Sequence, residues 1–254
     1  MEKKKFKSFA EQLVLKAGKV LLDHQKSVRI VKYKDIQDIA TSADFASERF
    51  IIESIQKKYP DFSIFSEEKG EIDRKSDYKW LIDPLDGTKA FVRNMTHYSS
   101  NICLTYKGEP IVSAMYYPAF NRLYSAAKGL GSFVNGKRTK LSKIVELKKA
   151  YVYFYSPTRN REYINYEKSW NSIKKLADVS YRVLSEQNVS LGCAFLANGG
   201  MEAYVNLSNP SRWHDLAPGL LIARESGAIV NTNDYPLVVA NNEKIYNELV
   251  KIIK

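Results

Sequence analysis

Trp80-Leu81-Ile82-Asp83-Pro84-Leu85-Asp86-Gly87-Thr88 joins an apolar run to two carboxylates, a glycine and a hydroxyl. Trp80 to Ile82 is expected to form a short buried strand. It should end at Asp83, because Pro84 has no N–H for ladder pairing in the middle of a sheet. Only Pro84 and Leu85 separate Asp83 from Asp86, so the two carboxylates can converge on one point. Carboxylates that close repel each other unless a cation lies between them. Hard divalent cations, Mg²⁺ above all, take such oxygen ligands and leave room for phosphate. Gly87 and Thr88 then offer backbone N–H groups where a phosphate could dock. The same residues are also good turn formers, so the surrounding chain has to decide between a turn and a metal site.

The chain has 254 residues, 44% hydrophobic and 26% charged, which suits a globular protein with a sizeable core. Residues 1–254 read as a single domain. Its halves are 1–148, with the metal and phosphate motifs, and 149–254, an α/β half on the substrate side. No apolar run reaches membrane-spanning length. Met1 to Lys7 is basic, but an amphipathic segment follows it instead of a signal-peptide core, so a cytoplasmic protein without membrane association is expected. Cys103 and Cys193 lie in apolar surroundings and read as buried free thiols. His24, His97 and His214 do not fall at zinc-site spacing. The net charge of +11 comes from scattered lysines rather than a basic-aromatic cluster, so a solvated surface is favoured over a nucleic-acid partner.

Along the chain, Phe6, Phe9, Ala10, Leu13, Val14, Ala17, Val20 and Leu21 recur at helical spacing and predict a helix over 3–25. An extended segment over 28–33 follows. Thr41 or Ser42 can cap a second helix running to about Lys58, with Phe45, Ile52, Ile55 and Tyr59 on its buried face. Asp44 in its first turn is either a helix-dipole acid or a carboxylate aimed at a site. Phe62 to Phe65 predicts a strand ending in Glu67-Glu68, one of which should point inward and the other outward. A loop over 71–79 leads to the opening strand. Strands over 101–106, 111–117, 123–127 and 132–134 make an antiparallel meander with turns at Lys107-Gly108 and Asn135-Gly136. The second half reads as strand 151–155, helix 162–176, strand 181–184, helix 190–198, strand 203–205, helix 213–226, strand 228–230 and helix 243–253.

Four acidic junctions, at Asp44, Glu67/Glu68, Asp83/Asp86 and Asp215, each have a structural explanation alone. Together with Gly87-Thr88 as anion donors they point to a multi-metal phosphoryl-transfer site. Thr41-x-x-Asp44, Glu67-Glu68, Trp80-x-Ile82-Asp83-Pro84-Leu85-Asp86-Gly87-Thr88 and Trp213-x-Asp215-x-Ala217-x-Gly219 resemble, in order, the signatures of the inositol monophosphatase family of Mg²⁺-dependent, Li⁺-sensitive phosphatases. The resemblance implies an α+β fold, a five-layer α-β-α-β-α sandwich of the inositol monophosphatase/fructose-1,6-bisphosphatase type, usually a homodimer. It also implies that Glu67, Asp83 and the Leu85 carbonyl hold one metal, and that Asp83, Asp86 and Asp215 hold a second. Glu67 can serve a third through water, and Mn²⁺ can substitute for Mg²⁺. Gly87 and Thr88 would bind the phosphate and Asp215 would face the substrate. Asp44 and the Thr88 hydroxyl, with Glu67, would activate the attacking water.

Substrate choice is where the chain departs from the family pattern. Lys89-Ala90-Phe91 replaces the Thr-Asn-Phe of inositol-specific members and resembles the Lys-Glu-Phe of 3′(2′),5′-bisphosphate nucleotidases, with Ala90 in place of Glu. Gln187-Asn188-Val189-Ser190 stands where a Gly-Ser/Thr-Ala run usually contacts the substrate ring, and Asn206 where a Glu grips an inositol hydroxyl. The expected reaction is hydrolysis of a small phosphate monoester of the inositol 1-phosphate type. Adenosine 3′,5′-bisphosphate and fructose 1,6-bisphosphate are the alternatives. A basic nucleic-acid-associated protein that kept the fold without the activity is the competing class.

Overall fold

The structure, a computed structural model, describes residues 2–35, 38–155, 166–186, 188–207, 213–231 and 236–253. In chain order the first elements are α1 (Glu2–Gln25), β1 (Ile30–Asp35), β2 (Asp38–Thr41), α2 (Ser42–Lys58), β3 (Ser63–Ser66), β4 (Gly70–Ile72), β5 (Tyr78–Asp86) and α3 (Thr88–Phe91). The meander follows as β6 (Ser99–Tyr106), β7 (Glu109–Tyr117), β8 (Arg122–Ala127), β9 (Gly131–Val134) and β10 (Lys137–Arg138). The remainder is β11 (Tyr151–Tyr155), α4 (Tyr166–Val179), β12 (Arg182–Glu186), α5 (Val189–Ala197), β13 (Ala203–Asn206), α6 (Trp213–Glu225), β14 (Ile229–Asn231), β15 (Leu237–Ala240) and α7 (Glu243–Ile253).

These elements stack as five layers. The apolar stripe of α1, from Phe6 through Ala17, packs with Ile51, Ile52 and Ile55 of α2 against Trp80, Ile82, Ile102 and Val112 on one face of an eight-stranded sheet. That sheet runs β10-β9-β8-β7-β6-β5-β3-β4. Its other face meets α5 and α6, which fill the space to a five-stranded sheet of order β12-β11-β13-β15-β14. Leu176 of α4 and Ile245, Leu249 and Ile253 of α7 cover the far side of the smaller sheet. The layer order is α-β-α-β-α, as the family resemblance implies. A separate two-stranded hairpin, β1-β2, stands beside this stack.

The central helices sit close to both sheets because they are built from small residues. A Cβ on Gly192 would lie 2.8 Å from the Tyr153 ring, and one on Gly219 would lie 3.0 Å from Cys193 Cβ. Ser113 on β7 donates to the Pro218 carbonyl (2.8 Å), which ties α6 to the large sheet at its internal proline. These approaches bring the start of α6, with Asp215, over the end of β5.

Several sequence expectations change. Strand β5 does not stop at Asp83; it runs through Pro84 to Asp86. Its parallel pairing with β3 ends at Ser66↔Ile82. Pairing with β6 continues, Asp83 opposite Asn101 and Asp86 opposite Ser99, with a bulge between. A bulge absorbs a residue without a ladder N–H and re-aims the side chains around it. The 71–79 loop contains β4, antiparallel to β3. Strand β15 carries no sequence signal: Leu-Val-Val-Ala is buried on both faces and has no alternation to reveal it. Phe45 is only half-buried, and Ala43, Ser47 and Ile51 take the inner face of α2 beside Ile52 and Ile55. Helix α4 is described from Tyr166; the expected start over 162–165 lies outside the described residues.

Candidate active site

The bulge at the end of β5 is the local event that builds the site. Buried Asp83 bends the chain by accepting from the Leu85 N–H (3.2 Å). The Pro84 carbonyl takes the Ser47 hydroxyl of α2 (3.0 Å), which fixes the turn against the first layer. Gly87 follows with φ +87°, a left-handed conformation that favours glycine, and α3 begins at Thr88. The Thr88 hydroxyl donates to Asp44 Oδ1 (3.0 Å) and also lies 2.9 Å from the Leu85 carbonyl.

Asp44 combines both sequence readings. Its Oδ2 accepts from the Thr41 N–H (2.8 Å) and hydroxyl (2.5 Å), completing a capping box at the start of α2. Its Oδ1 faces the Thr88 hydroxyl. Burial pushes the Asp44 carboxyl up to about 6, against the three hydrogen bonds that favour its ionised form.

Glu67, Asp83, Leu85, Asp86, Gly87, Thr88 and Asp215 all line one cavity of about 570 Å³, a size ordinary for a small-molecule site. Asp44 reaches it through Thr88. Asn101 on β6 donates to Asp86 Oδ2 (3.2 Å) and lies 3.2 Å from the Ser190 hydroxyl, which donates to the Asp215 carbonyl (3.0 Å). That chain of contacts pins the starts of α5 and α6 to the large sheet. Burial raises Asp83 well above the ordinary carboxylate range, and the charges of Glu67, Asp86, Asp215 and Asp44 add to it. Asp86 is pushed up to about 8 by burial, then by Asp215 and Glu67. Burial and mutual repulsion thus both oppose the ionised forms of Asp83 and Asp86.

Four oxygen-donor carboxylates and a backbone carbonyl on one wall are the donor set of a hard divalent cation. As they stand, no three Asp, Glu, His or Cys side chains among the described residues are gathered closely enough to hold an ion. Two of these carboxylates have basic neighbours. The Lys34 ammonium, from the β1-β2 hairpin, pairs with Glu67 (3.1 Å) and with Glu68. Asp215 Oδ1 lies 3.0 Å from His214 Nε2. The oxygen-donor chemistry, and the mutual repulsion that raises Asp83 and Asp86, fit such an ion.

Some residues that shape the cavity escaped sequence reasoning. Glu68 does not point outward; its side chain is 2% exposed and paired with Lys34. The extended-chain alternation fails because Glu67 and Glu68 lie in the turn after β3. Buried Glu48, one helical turn beyond Asp44, accepts from the Ser66 hydroxyl and from the N–H groups of Glu68 and Lys69 (both 3.0 Å), so it holds the turn that presents Glu67. Lys34 and Asn101 carried no sequence signal, since each acquires its partner across the fold. Asn206 is buried on β13 and lies 3.1 Å from the Tyr204 hydroxyl. Asn188 caps α5, accepting from the Leu191 N–H (2.8 Å), while Gln187 lies outside the described residues.

A model of the inositol monophosphatase family matches residues 2–250. The chain belongs to the inositol monophosphatase family. It is 31% identical over 260 residues to a "Fructose-1,6-bisphosphatase/inositol-1-monophosphatase" of Aquifex aeolicus, covering 99% of this chain and 96% of that one. It is 29% identical over 253 residues to the "Nus factor SuhB" of Escherichia coli K12, covering 96% and 93%. Among solved structures, the Thermotoga maritima IMPase superposes with a TM-score of 0.85 at 27% identity, covering 100% of this chain and 97% of that one. Members of this family are phosphatases, and the Thermotoga maritima IMPase shares this fold. No described helix is long and apolar enough to cross a membrane.

The raised carboxyls have a consequence for stability. A carboxyl whose folded-state pKa is raised favours folding below its unfolded value, near about 4, and that contribution is lost as pH rises through the folded value. With Asp44 near 6 and Asp86 near 8, the metal-free protein should lose stability between pH 5 and 8. Added Mg²⁺ should raise the melting temperature more at pH 8 than at pH 5. Thermal melts in EDTA and in Mg²⁺ at both pH values check this. A melting temperature in EDTA that climbs toward pH 8 would contradict it.

Proposed function

We propose that this chain is a Mg²⁺-dependent phosphatase that hydrolyses a small sugar-phosphate monoester, of the inositol 1-phosphate type, by attack of water on phosphorus. The observation that carries the reading is the Thr88–Asp44 pair at the mouth of the β5 bulge, beside four carboxylates on the wall of the same cavity. Glu67, Asp83 and the Leu85 carbonyl would hold one ion, and Asp83, Asp86 and Asp215 a second. A third through Glu67, and Mn²⁺ in place of Mg²⁺, belong to the same proposal. The bound cations supply positive charge that neutralises phosphate oxygens and acidifies water.

The chain's own residues do the rest. Backbone N–H groups of Gly87 and Thr88 orient the phosphate. Thr88 Oγ1 positions the attacking water and passes its proton toward Asp44 Oδ1. A carboxyl near pKa 6 is well matched to accept that proton at neutral pH. The hydrogen bonds from Thr41 hold Asp44 in place while it does so. Asp215 flanks the substrate from α6. Homodimer formation, Li⁺ sensitivity and a division into halves 1–148 and 149–254 complete the reading.

The test is phosphate release from inositol 1-phosphate, adenosine 3′,5′-bisphosphate and fructose 1,6-bisphosphate in Mg²⁺, with Li⁺ in half the reactions and EDTA in controls. Release that EDTA abolishes supports the proposal, and no release from any ester sinks it. A second reading draws on the net charge of +11 and on the name of the Escherichia coli relative: a Nus-type role with nucleic acid as partner. A salt-dependent gel shift from a protein that releases no phosphate would favour it.

A further inference from the structure

Strand β5 and helix α6 each contribute to two cavities. On β5, Trp80 and Ile82 face α1 and α2, so Lys79, Leu81 and Asp83 face the other way. Asp83 lines the cavity described above, whereas Lys79 and Leu81 line a second one of about 480 Å³. The first turn of α6 is divided in the same way: Asp215 lines the first cavity, and Trp213 and His214 line the second.

The two cavities differ in chemistry. In the second, the Trp213 side chain is 38% exposed, and the Phe65 and His214 rings have centroids 5.1 Å apart. Leu81 belongs to a small apolar cluster with Cys103 and Ala217, separate from the main cores. Two ion pairs complete the lining, Lys79 Nζ with Glu71 Oε1 (2.8 Å) and Lys107 Nζ with Asp77 Oδ2 (3.7 Å). These charges cancel, so the described lining offers no surplus cation to a phosphate. The Lys107–Asp77 pair is the looser of the two. Its side chains are 64% and 58% exposed, and exposed pairs contribute little to stability. The backbone beside it is fixed, because the Lys107 N–H donates to the Asp77 carbonyl (2.8 Å). The main chain thus holds a carboxylate and an ammonium side by side, while their side chains are only weakly tied to each other. A ligand with one charge of each sign can exchange that contact for two of its own and leave neither residue unpaired.

We propose that this second cavity is an effector site for a free aromatic amino acid, with the ring against Trp213, Phe65 and Leu81, the ammonium at Asp77 and the carboxylate at Lys107. The occupant also lies against His214, whose Nε2 is 3.0 Å from Asp215 Oδ1, so its binding is coupled to the first cavity's affinity for Mg²⁺. Binding of the amino acid is independent of the phosphatase reading. The coupling rests on that reading, through the role given there to Asp215. The competing explanation is a gap between two surface ion pairs that holds only water.

The experiment is calorimetry on the full chain with L-phenylalanine, 3-phenylpropionate, 2-phenylethylamine and L-alanine as probes. The last three lack the ammonium, the carboxylate and the ring, respectively. Each should bind about tenfold or more weakly than L-phenylalanine, the cost of one charge-assisted hydrogen bond or of the aromatic contact. Asp77→Asn should erase the preference over 3-phenylpropionate, and Lys107→Ala the preference over 2-phenylethylamine. Both residues are exposed, so these variants give a reading even if Trp213→Ala, which should weaken every ring-bearing probe, disturbs the start of α6. Saturating L-phenylalanine should change the Mg²⁺ dissociation constant about fivefold or more, and Mg²⁺ should change that of L-phenylalanine by the same factor. No binding of L-phenylalanine overturns the site, as does equal affinity for all four probes or a preference untouched by Asp77→Asn and Lys107→Ala. Binding that leaves the Mg²⁺ affinity unchanged overturns the effector role. If L-phenylalanine binds with the expected preferences but no ester is hydrolysed in Mg²⁺, the amino-acid site stands and the phosphatase reading falls.

Discussion

Asp83→Asn should fold, gain stability in the absence of metal, and lose on the order of 10²-fold or more of its Mg²⁺-dependent turnover, as removal of an electrostatic stabiliser does elsewhere. The two effects have one cause. Asp83 is buried at the end of β5, and its charge is opposed by burial and by Glu67, Asp86, Asp215 and Asp44. The amide is nearly the same shape and can still accept the Leu85 N–H, so the bulge is preserved. Removing the charge relieves the repulsion that burdens the metal-free fold. The same change takes away the one carboxylate assigned to both metals. Chemical denaturation in EDTA at pH 8 should therefore show a more stable variant, while phosphate release in Mg²⁺ collapses. Near-normal turnover in a folded Asp83→Asn protein would remove Asp83 from the site. A loss of stability would mean that its charge is compensated in some way not described above. Gains in stability bought with activity are the usual signature of a residue retained for function.

The second large effect is expected from Gly87→Ala. Gly87 has φ +87°, and a Cβ there would overlap the His97 carbonyl oxygen and come within 3.2 Å of Tyr98 Cα and 3.3 Å of Asn188 Nδ2. Two of these neighbours are backbone atoms, which cannot swing aside as a long side chain would. Asn188 Nδ2 already donates to the same His97 carbonyl (3.4 Å), so any shift is passed to the start of α5. A side chain forced into left-handed backbone and a tight contact should together cost about 1–3 kcal/mol. The larger effect is on turnover, because the Gly87 and Thr88 N–H groups are assigned to the phosphate. Displacement by an ångström costs about 10²-fold in a positioned reaction. Denaturant titration and single-turnover phosphate release measure the two separately. A variant with undiminished turnover would mean that this turn does not cradle the phosphate.

Much of the site could be read without coordinates because its groups are held by local chemistry. Thr41 and Asp44 are three residues apart and satisfy each other across the first turn of α2. Asp83, Gly87 and Thr88 are shaped by one bulge and one left-handed glycine. Short-range requirements of this kind leave a signature in residue order. The helical stripes of α1 and α7 and the Lys107-Gly108 and Asn135-Gly136 turns were legible for the same reason. Strand β15 and the continuation of β5 past Pro84 were not, because a buried apolar run carries no alternation and a bulge leaves no fixed pattern.

Residue order alone determined the chemistry: which carboxylates exist, that they fall at element ends, and that a Gly-Thr turn follows two of them. Tertiary structure decided how those groups are balanced. Lys34 meets Glu67 and Glu68 only because a hairpin outside both main sheets folds over them. Glu48 holds the Glu67 turn, and Asn101 contacts Asp86 and Ser190, only because distant segments are packed into contact. The charge of a buried carboxylate depends on every neighbour within a few ångströms, and that neighbourhood is assembled from five layers rather than from adjacent residues.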